Sequence, residues 1–306
     1  MPVFTTAIRC FVEVAKRGSI RGSAEHLFLT PSAVNRQIIG LEQEMSAVLF
    51  ERLPRGMRLT ASGELLLASI RRQERELAVT VSQMEMLKGL KRGHIVLACL
   101  SYIGPLHLTR FVAQFRLEHP GITFTLLAGT HAEVCEWVTS GTAEIGVCYQ
   151  PLRGLPLQVQ KSIPVRFGAV VHASHALAGR TSVGVRELLT HPLVLPVEGM
   201  ETRNFADQLG LLRWPDHVIA VETNSFITVI ELVKTGVGIS FLADVDAADE
   251  VAKGNISFIP IKGAHVPKIQ VCSMIRMDRT LPFATSIALE ALGAFLDRLG
   301  KAGAAI

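Results

Sequence analysis

Ser32, Asn35 and Arg36 bring a hydroxyl, a carboxamide and a guanidinium into one short stretch of the chain. Side chains of these types can read the edges of nucleic-acid bases. Asparagine pairs bidentately with adenine and arginine with guanine, each contact giving roughly 1–3 kcal/mol of discrimination. Further on, Arg52, Arg55 and Arg58 repeat at every third position, a pattern suited to phosphate oxygens, which position a protein on nucleic acid without reading sequence. In isolation the first group would equally suit a solvated helix face, so what matters is how the fold holds it.

The elements around it are legible. Phe4, Ile8, Phe11, Val12 and Ala15 recur at helical spacing, and Gly18 and Ser19 stop that helix. A short helix over residues 23–28 carries Ala24 and Leu27, suited to a tight crossing. Thr30 is an N-cap type and Pro31 fits the first helical position. Val34, Ile38, Leu41 and Met45 then define the buried face of the next helix. At about 100° per residue the opposite face presents Ser32, Asn35, Arg36, Ile39 and Gln43. Two short helices joined by a turn form a helix-turn-helix pattern. Residues 49–52 and 57–60 read as strands about a turn, so the three arginines fall in a basic hairpin, a wing, beside the second helix.

Residues 61–88 hold no proline and no glycine after Gly63, which predicts a helix of about 40 Å. Leu67, Ile70, Leu77, Val81 and Met84 fall on one seam, interrupted by Glu74. A second copy of the helix is the simplest cover for that seam, and packing on the chain's own remaining domain is the alternative. Gly89 to Gly93 reads as a hinge. Beyond it, short apolar strands alternate with helices, an α/β signature. Strands are expected over 94–100, 122–127, 144–148, 166–171, 193–195, 218–221, 239–242 and 269–274, and helices over 106–118, 133–140 and 282–299. Two α/β lobes crossed twice by the chain would bind a ligand between them, at strand C-terminal ends.

Charge is divided unevenly. Residues 1–93 hold 14 Lys/Arg against 9 Asp/Glu, a net +5, while the remaining 213 residues net −1. A basic module attached to something else fits nucleic-acid binding. Arg9, Glu13, Lys16 and Arg17 interrupt the first helix, so no secretory leader is expected. No apolar run reaches the length of a membrane span. The five cysteines (Cys10, Cys99, Cys135, Cys148 and Cys272) show no CxxC or Cys/His ligand spacing and read as reduced cytosolic thiols, mostly in the core. No metal or cofactor is expected, although spacing leaves open whether two of Cys99, Cys135 and Cys148 meet as a redox pair. No nucleophile elbow, metal-ligand cluster or phosphate loop points to an enzyme.

The runs at 11–15, 18–20, 24–27 (Ala24-Glu25-His26-Leu27), 30–34 (Thr30-Pro31-Ser32-Ala33-Val34) and Gln37-Ile38 resemble the N-terminal signature of LysR-type transcription regulators. So do Leu41-Glu42, Leu49-Phe50-Glu51-Arg52 and Leu59-Thr60-Ala61-Ser62-Gly63-Glu64. Order and spacing hold across residues 11–64. Asn35 departs from the family's usual serine, Ser46 from its glycine, and Ile39-Gly40 from basic or polar residues. The last change removes candidate phosphate contacts and points to an altered operator preference. Later landmarks (His119-Pro120-Gly121-Ile122, residues 140–145, His175-Ala176-Leu177-Ala178 and residues 233–239) are similar to the family's effector domain, with Glu144 in place of the commoner aspartate.

The resemblance implies a winged helix-turn-helix over 1–60 and a dimerising linker helix and hinge over 61–92. It implies a two-lobed, periplasmic-binding-protein-like α/β effector domain over 93–306. Lobe I would comprise about 94–163 and 268–306, and lobe II about 164–267. The partners it implies are double-stranded DNA with a pseudo-palindromic operator, a small-molecule effector and a second copy of the chain, with tetramers common in the family. Carried over position by position, it implies a pocket lined by Leu100, Ser101, Thr130, His131, Tyr149, Met200, Glu201, Thr202, Arg203, Thr223, Asn224, Ser225 and Phe226. Ser101, Thr202, Asn224 and Ser225 sit at helix entries that could hold an anion, to which Arg203 would add a charge; each also reads as a plain N-cap.

Overall fold

The computed structural model describes residues 4–53, 56–87, 92–210, 217–263, 266, 268–277 and 280–305. The chain divides into two compact units, Met1–Thr80 and Val81–Ile306.

The first unit contains α1 (Thr6–Arg17), α2 (Ile20–Leu27), α3 (Pro31–Glu44), β1 (Phe50–Leu53), β2 (Gly56–Leu59) and the start of α4 (Ala61–Leu87). Local chemistry sets the boundaries. Thr5, Ser19 and Thr30 cap the three short helices with their hydroxyls, which accept from Ile8, Gly22 and Ala33 amides, and Pro31 opens α3. Cys10, Phe11, Val14, Ala24, Val34, Ile38, Leu41, Leu49 and Phe50 form the core, with the Phe11 and Phe50 rings 5.3 Å apart. Each such side chain contributes about 1.5–3 kcal/mol by leaving water.

Two expectations need correcting here. Met45 does not join the buried face of α3, because the helix ends at Glu44 and Met45 is its C-cap, 46% exposed. Ile70 is buried in the first unit's own core and so belongs to the subunit rather than to a dimer seam, while Leu67 packs half-buried against the same core. Gly63 explains the close approach of α4, since a Cβ there would lie 2.2 Å from the Leu49 carbonyl oxygen.

The second unit begins with β3 (Gly93–Leu100), then a π-turn over Gly104–Leu108, α5 (Thr109–Glu118), β4 (Ile122–Gly129), α6 (His131–Ser140), β5 (Ile145–Tyr149) and β6 (Leu157–Val165). There follow β7 (Phe167–His172), β8 (Val183–Gly184), α7 (Val185–Leu188), β9 (Leu193–Pro196), α8 (Glu201–Gln208) and β10 (Ile219–Thr223). The chain continues through α9 (Phe226–Lys234), β11 (Ser240–Ala243), α10 (Asp244–Ala252), β12 (Ile256–Lys262), β13 (Ile269–Arg276) and α11 (Phe283–Ala304).

One sheet has the order β4-β3-β5-β13-β6; β3 pairs in parallel with β4 and β5, and β13 runs antiparallel to β5 and β6. A second sheet has the order β11-β7-β12-β8, and the parallel pair β10-β9 reaches it through a bridge from Leu193 to Ile239. The chain passes from the first sheet to the others after β6 and returns at β13. The helix expected over 106–118 starts instead as a π-turn around Pro105, a form common at functional sites. Pro164 sits in β6, an edge strand where a missing N–H is tolerated.

Candidate functional site

On the first unit, α3 and the β1–β2 hairpin form the candidate DNA interface. Val34 and Ile38 are fully buried, whereas Ser32 and Arg36 are exposed and Asn35 is half-buried. The Asn35 Oδ1 accepts a 2.9 Å bond from Arg52 Nη2, so the helix and the wing share a polar contact on the outer face. Arg58 Nε donates to Glu51 Oε2 at 3.0 Å across the hairpin. Both partners are exposed, so water already screens this pair and a phosphate can compete for the guanidinium. Arg55 lies outside the described residues.

A residue to which sequence reasoning gave no role joins helix to wing: Glu42 Oε1 accepts from the Leu49 and Phe50 amides at 2.8 and 3.3 Å. The Met57 amide donates to the Gly18 carbonyl at 2.8 Å, fixing the second wing strand to the end of α1. Gly56 permits that approach, since a Cβ there would lie 2.5 Å from the same oxygen. Ser46 occupies left-handed backbone at φ 49°, a conformation that glycine adopts without steric cost. On α4, Leu77 is half-buried and Val81 and Met84 are exposed. The hinge residues Gly89, Leu90 and Lys91 lie outside the described residues.

The second unit holds a cavity of about 600 Å³, within the range of small-molecule sites. Four strand ends build it. Leu100, Ser101 and Tyr102 follow β3, and Gly129, Thr130 and His131 join β4 to α6. The segment from Val197 to Thr202 follows β9, and that from Asn224 to Ile227 follows β10. Of the expected lining residues, Leu100, Ser101, Thr130, His131, Met200, Thr202, Asn224, Ser225 and Phe226 all face this cavity.

Three expected residues do not line it: Thr223, at the end of β10, Tyr149 and Arg203. Tyr149 is buried behind Tyr102, their hydroxyls 2.5 Å apart, and Tyr102 in turn stacks on Phe226 with centroids 4.0 Å apart. Arg203 is only 3% exposed, its guanidinium taken by Asp207 Oδ1 at 3.1 Å, Glu222 Oε1 at 2.7 Å and the Pro196 carbonyl at 2.8 Å. It ties α8 to β9 and β10 and supplies no charge to the cavity. Glu201, within the expected run from Met200 to Arg203, lines the cavity as well, and Tyr102 and Glu198 line it without having been anticipated; the adjacency of Tyr102 to Ser101 was the available signal.

Several lining hydroxyls already have partners. Thr130 and Glu133 form a reciprocal capping box at α6. Ser225 caps α9, and the Ser101 hydroxyl donates to the Gly129 carbonyl. Thr202 Oγ1 and His131 Nε2, by contrast, are buried without a hydrogen-bond partner among the described residues, and buried polar groups of this kind are exceptions that call for a ligand or water.

Behind the wall, one nitrogen of His131 and the sulfurs of Cys135 and Cys148 all lie within 4.8 Å of one another. All five cysteines are free thiols. The bond from Cys148, aided by His131, outweighs burial and lowers the Cys135 thiol to about 4, and the same shared bond raises Cys148. Burial works against a charged His131, but bonds to Cys135 and Glu201 outweigh it and raise the imidazole to about 9. The expected absence of Cys/His ligand spacing therefore needs correcting: His131 and Cys135 are one helical turn apart. Elsewhere, His107 Nε2 meets Asp246 Oδ1 at 3.0 Å, both buried, and burial raises the Asp246 carboxyl against the pull of His107.

Comparison with known proteins agrees with this geometry. Residues 5–64 match the family of bacterial regulatory helix-turn-helix proteins of the lysR family, and residues 88–297 match the LysR substrate binding domain. The HTH-type transcriptional regulator CbbR of Xanthobacter flavus is 27% identical over 298 residues, covering 96% of this chain and 87% of that protein. The HTH-type transcriptional activator CmpR of Synechocystis is 24% identical over 258 residues, 84% of each chain. Among solved structures, a full-length OxyR variant from Pseudomonas aeruginosa aligns with a TM-score of 0.66 at 22% identity, covering 96% of this chain and 94% of that one. Full-length CbnR complexed with its target DNA aligns with a TM-score of 0.61 at 21% identity, covering 97% and 98%.

The chain belongs to the LysR family. It is a DNA-binding transcription regulator with an effector-binding domain.

Proposed function

We propose that Ser32, Asn35 and Arg36 read bases in the major groove while Arg52, Arg55 and Arg58 hold the phosphate backbone. The observation that carries this reading is the division of α3, with Val34 and Ile38 buried and Ser32 and Arg36 exposed on the other side. Self-association through the outer part of α4, at Leu77, Val81 and Met84, would present two such modules to a pseudo-palindromic operator. The division of the chain into module 1–60, linker 61–92 and sensor 93–306 is part of the same reading. So are a cytoplasmic setting beside the DNA and the assignment of no catalytic residue.

The effector reading differs from the anionic ligand expected of the sequence. With Arg203 occupied, the cavity wall offers, among the described residues, Glu198 and Glu201 against His131. We infer an effector with a neutral or cationic polar group toward the glutamates and a hydrogen-bonding group toward Thr202. DNA from beside the gene should shift in a gel with the full chain, and log affinity should fall linearly with log salt. Binding indifferent to salt would contradict the interface. A thermal-shift screen of metabolites on the same protein tests the cavity, because a ligand specific for the native state stabilises it by mass action.

A further inference from the structure

We propose that His131, Cys135 and Cys148 form a binding site for a thiophilic d10 metal ion, zinc(II) or copper(I), in the inner wall of the effector cavity. The inference goes beyond the effector reading and needs neither an organic effector nor DNA.

The donor set is two thiols and an imidazole, the ligand chemistry that soft and borderline cations select. His131 and Cys135 stand one turn apart on α6 and so share a face, while Cys148 comes from β5, which pairs with β3 and β13. The framework is thus regular structure rather than loop, as a preorganised site requires. Zinc–sulfur bonds of about 2.3 Å and zinc–nitrogen bonds of about 2.0–2.1 Å put tetrahedral ligand atoms roughly 3.5–3.8 Å apart. The three atoms already lie within 4.8 Å of one another, so side-chain shifts of about 1 Å would close the site.

The imidazole supplies an independent observation. Its Nδ1 is 3.4 Å from Glu201 Oε2, its side chain is 10% exposed, and Nε2 is buried without a hydrogen-bond partner among the described residues. A carboxylate facing one nitrogen while the ring lies against two thiols is the arrangement of a metal-bound histidine, in which the carboxylate orients the ring. Three protein ligands leave a fourth position, and His131 itself lines the cavity, so that position can be filled from the cavity. Glu201 follows β9 and begins α8, whereas the three ligands sit on the β3–β5 side. A bound ion would therefore couple the two walls of the cleft.

The test uses the full-length protein, reduced, stripped with chelator and titrated under anaerobic conditions with zinc(II) alone or copper(I) alone. One ion per chain should survive desalting, and the arm with the tighter uptake identifies the ion. Cobalt(II) in the same site should show sulfur-to-metal charge-transfer absorption. Glu201→Gln should weaken binding by about 10–100-fold, Cys135→Ser and Cys148→Ala by more than that, and Cys10→Ala, in the other unit, should leave it unchanged. Uptake of neither ion overturns the proposal, as does uptake without the charge-transfer band. So does a Cys135–Cys148 pair that peroxide joins but that binds no metal when reduced. Should a cysteine variant fail to fold, the cobalt spectrum of the unaltered protein decides alone.

Discussion

The two units of this regulator carry their candidate sites on opposite kinds of surface. The first turns chemistry outward: one helix buries Val34 and Ile38 and leaves Ser32 and Arg36 exposed. The second turns chemistry inward, into a cavity assembled from the ends of β3, β4, β9 and β10. A convex reader needs rigidity behind it, which the Glu42 bonds to the wing amides supply. A concave sensor needs groups left unsatisfied in front of it, which Thr202 Oγ1 and His131 Nε2 provide. The same residue type consequently does different work in the two places.

Arginine shows this most sharply. Arg203 is buried and triply bonded, so Arg203→Ala should cost about 2–3 kcal/mol of stability through lost charged hydrogen bonds and packing. The surviving folded protein should keep its ligand response. A melting temperature unchanged by the substitution, together with a lost response, would return Arg203 to the pocket.

Arg36→Ala should do the reverse. Because Arg36 is exposed, folding stability should stay within about 0.5 kcal/mol. Operator affinity should fall by about 1–3 kcal/mol, with relaxed preference at one base position. Uniform weakening across all sequences, measured by binding to a panel of single-base operator variants, would reassign Arg36 to a phosphate.

How much of this was legible follows from the same contrast. Periodicity of 3.6 fixes which face of one helix is buried, and the residues proposed to read bases lie on one helix, so Val34, Ile38 and Leu41 could be placed from spacing alone. Met45 could not, because the spacing continues past the point where the helix stops. In α4, Ile70 and Met84 share a seam in sequence, yet Ile70 is in the core and Met84 is exposed; periodicity gives a face but not what covers it at each height.

The cavity was out of reach of spacing, since its walls come from four separate segments between residues 100 and 227, and only family resemblance supplied them. That resemblance carried positions but not orientations, which is why Arg203 and Tyr149 were misplaced. The proximity of Cys148 to His131 and Cys135 arises from β5 lying beside α6 and had no signal in sequence, whereas the one-turn spacing of His131 and Cys135 did.

Thr202 offers a smaller test of the inward-facing surface. Thr202→Val keeps shape and removes a buried hydroxyl that has no partner among the described residues. Without effector the protein should therefore be as stable or more stable, by about 1 kcal/mol. With an effector identified by thermal shift, the stabilising shift should shrink. A variant destabilised without ligand and unaltered in its response would show that the hydroxyl serves the fold.

The smallest effect, and the finest test of the outward-facing surface, lies at Gly40. It sits inside α3, exposed, and a Cβ added there would meet nothing within 4 Å. Helix propensity alone then predicts that Gly40→Ala stabilises the protein by about 0.8–1 kcal/mol, measurable as a higher denaturant midpoint. Nothing in the subunit's own packing opposes the methyl group, so retention of glycine is not explained by the fold. If operator affinity is unchanged in the stabilised variant, Ile39-Gly40 is merely a lost set of phosphate contacts. If affinity falls while stability rises, the helix backbone at Gly40 approaches DNA closely enough for a single methyl group to matter, and the outward face is fitted to its operator by what it lacks as well as by Arg36.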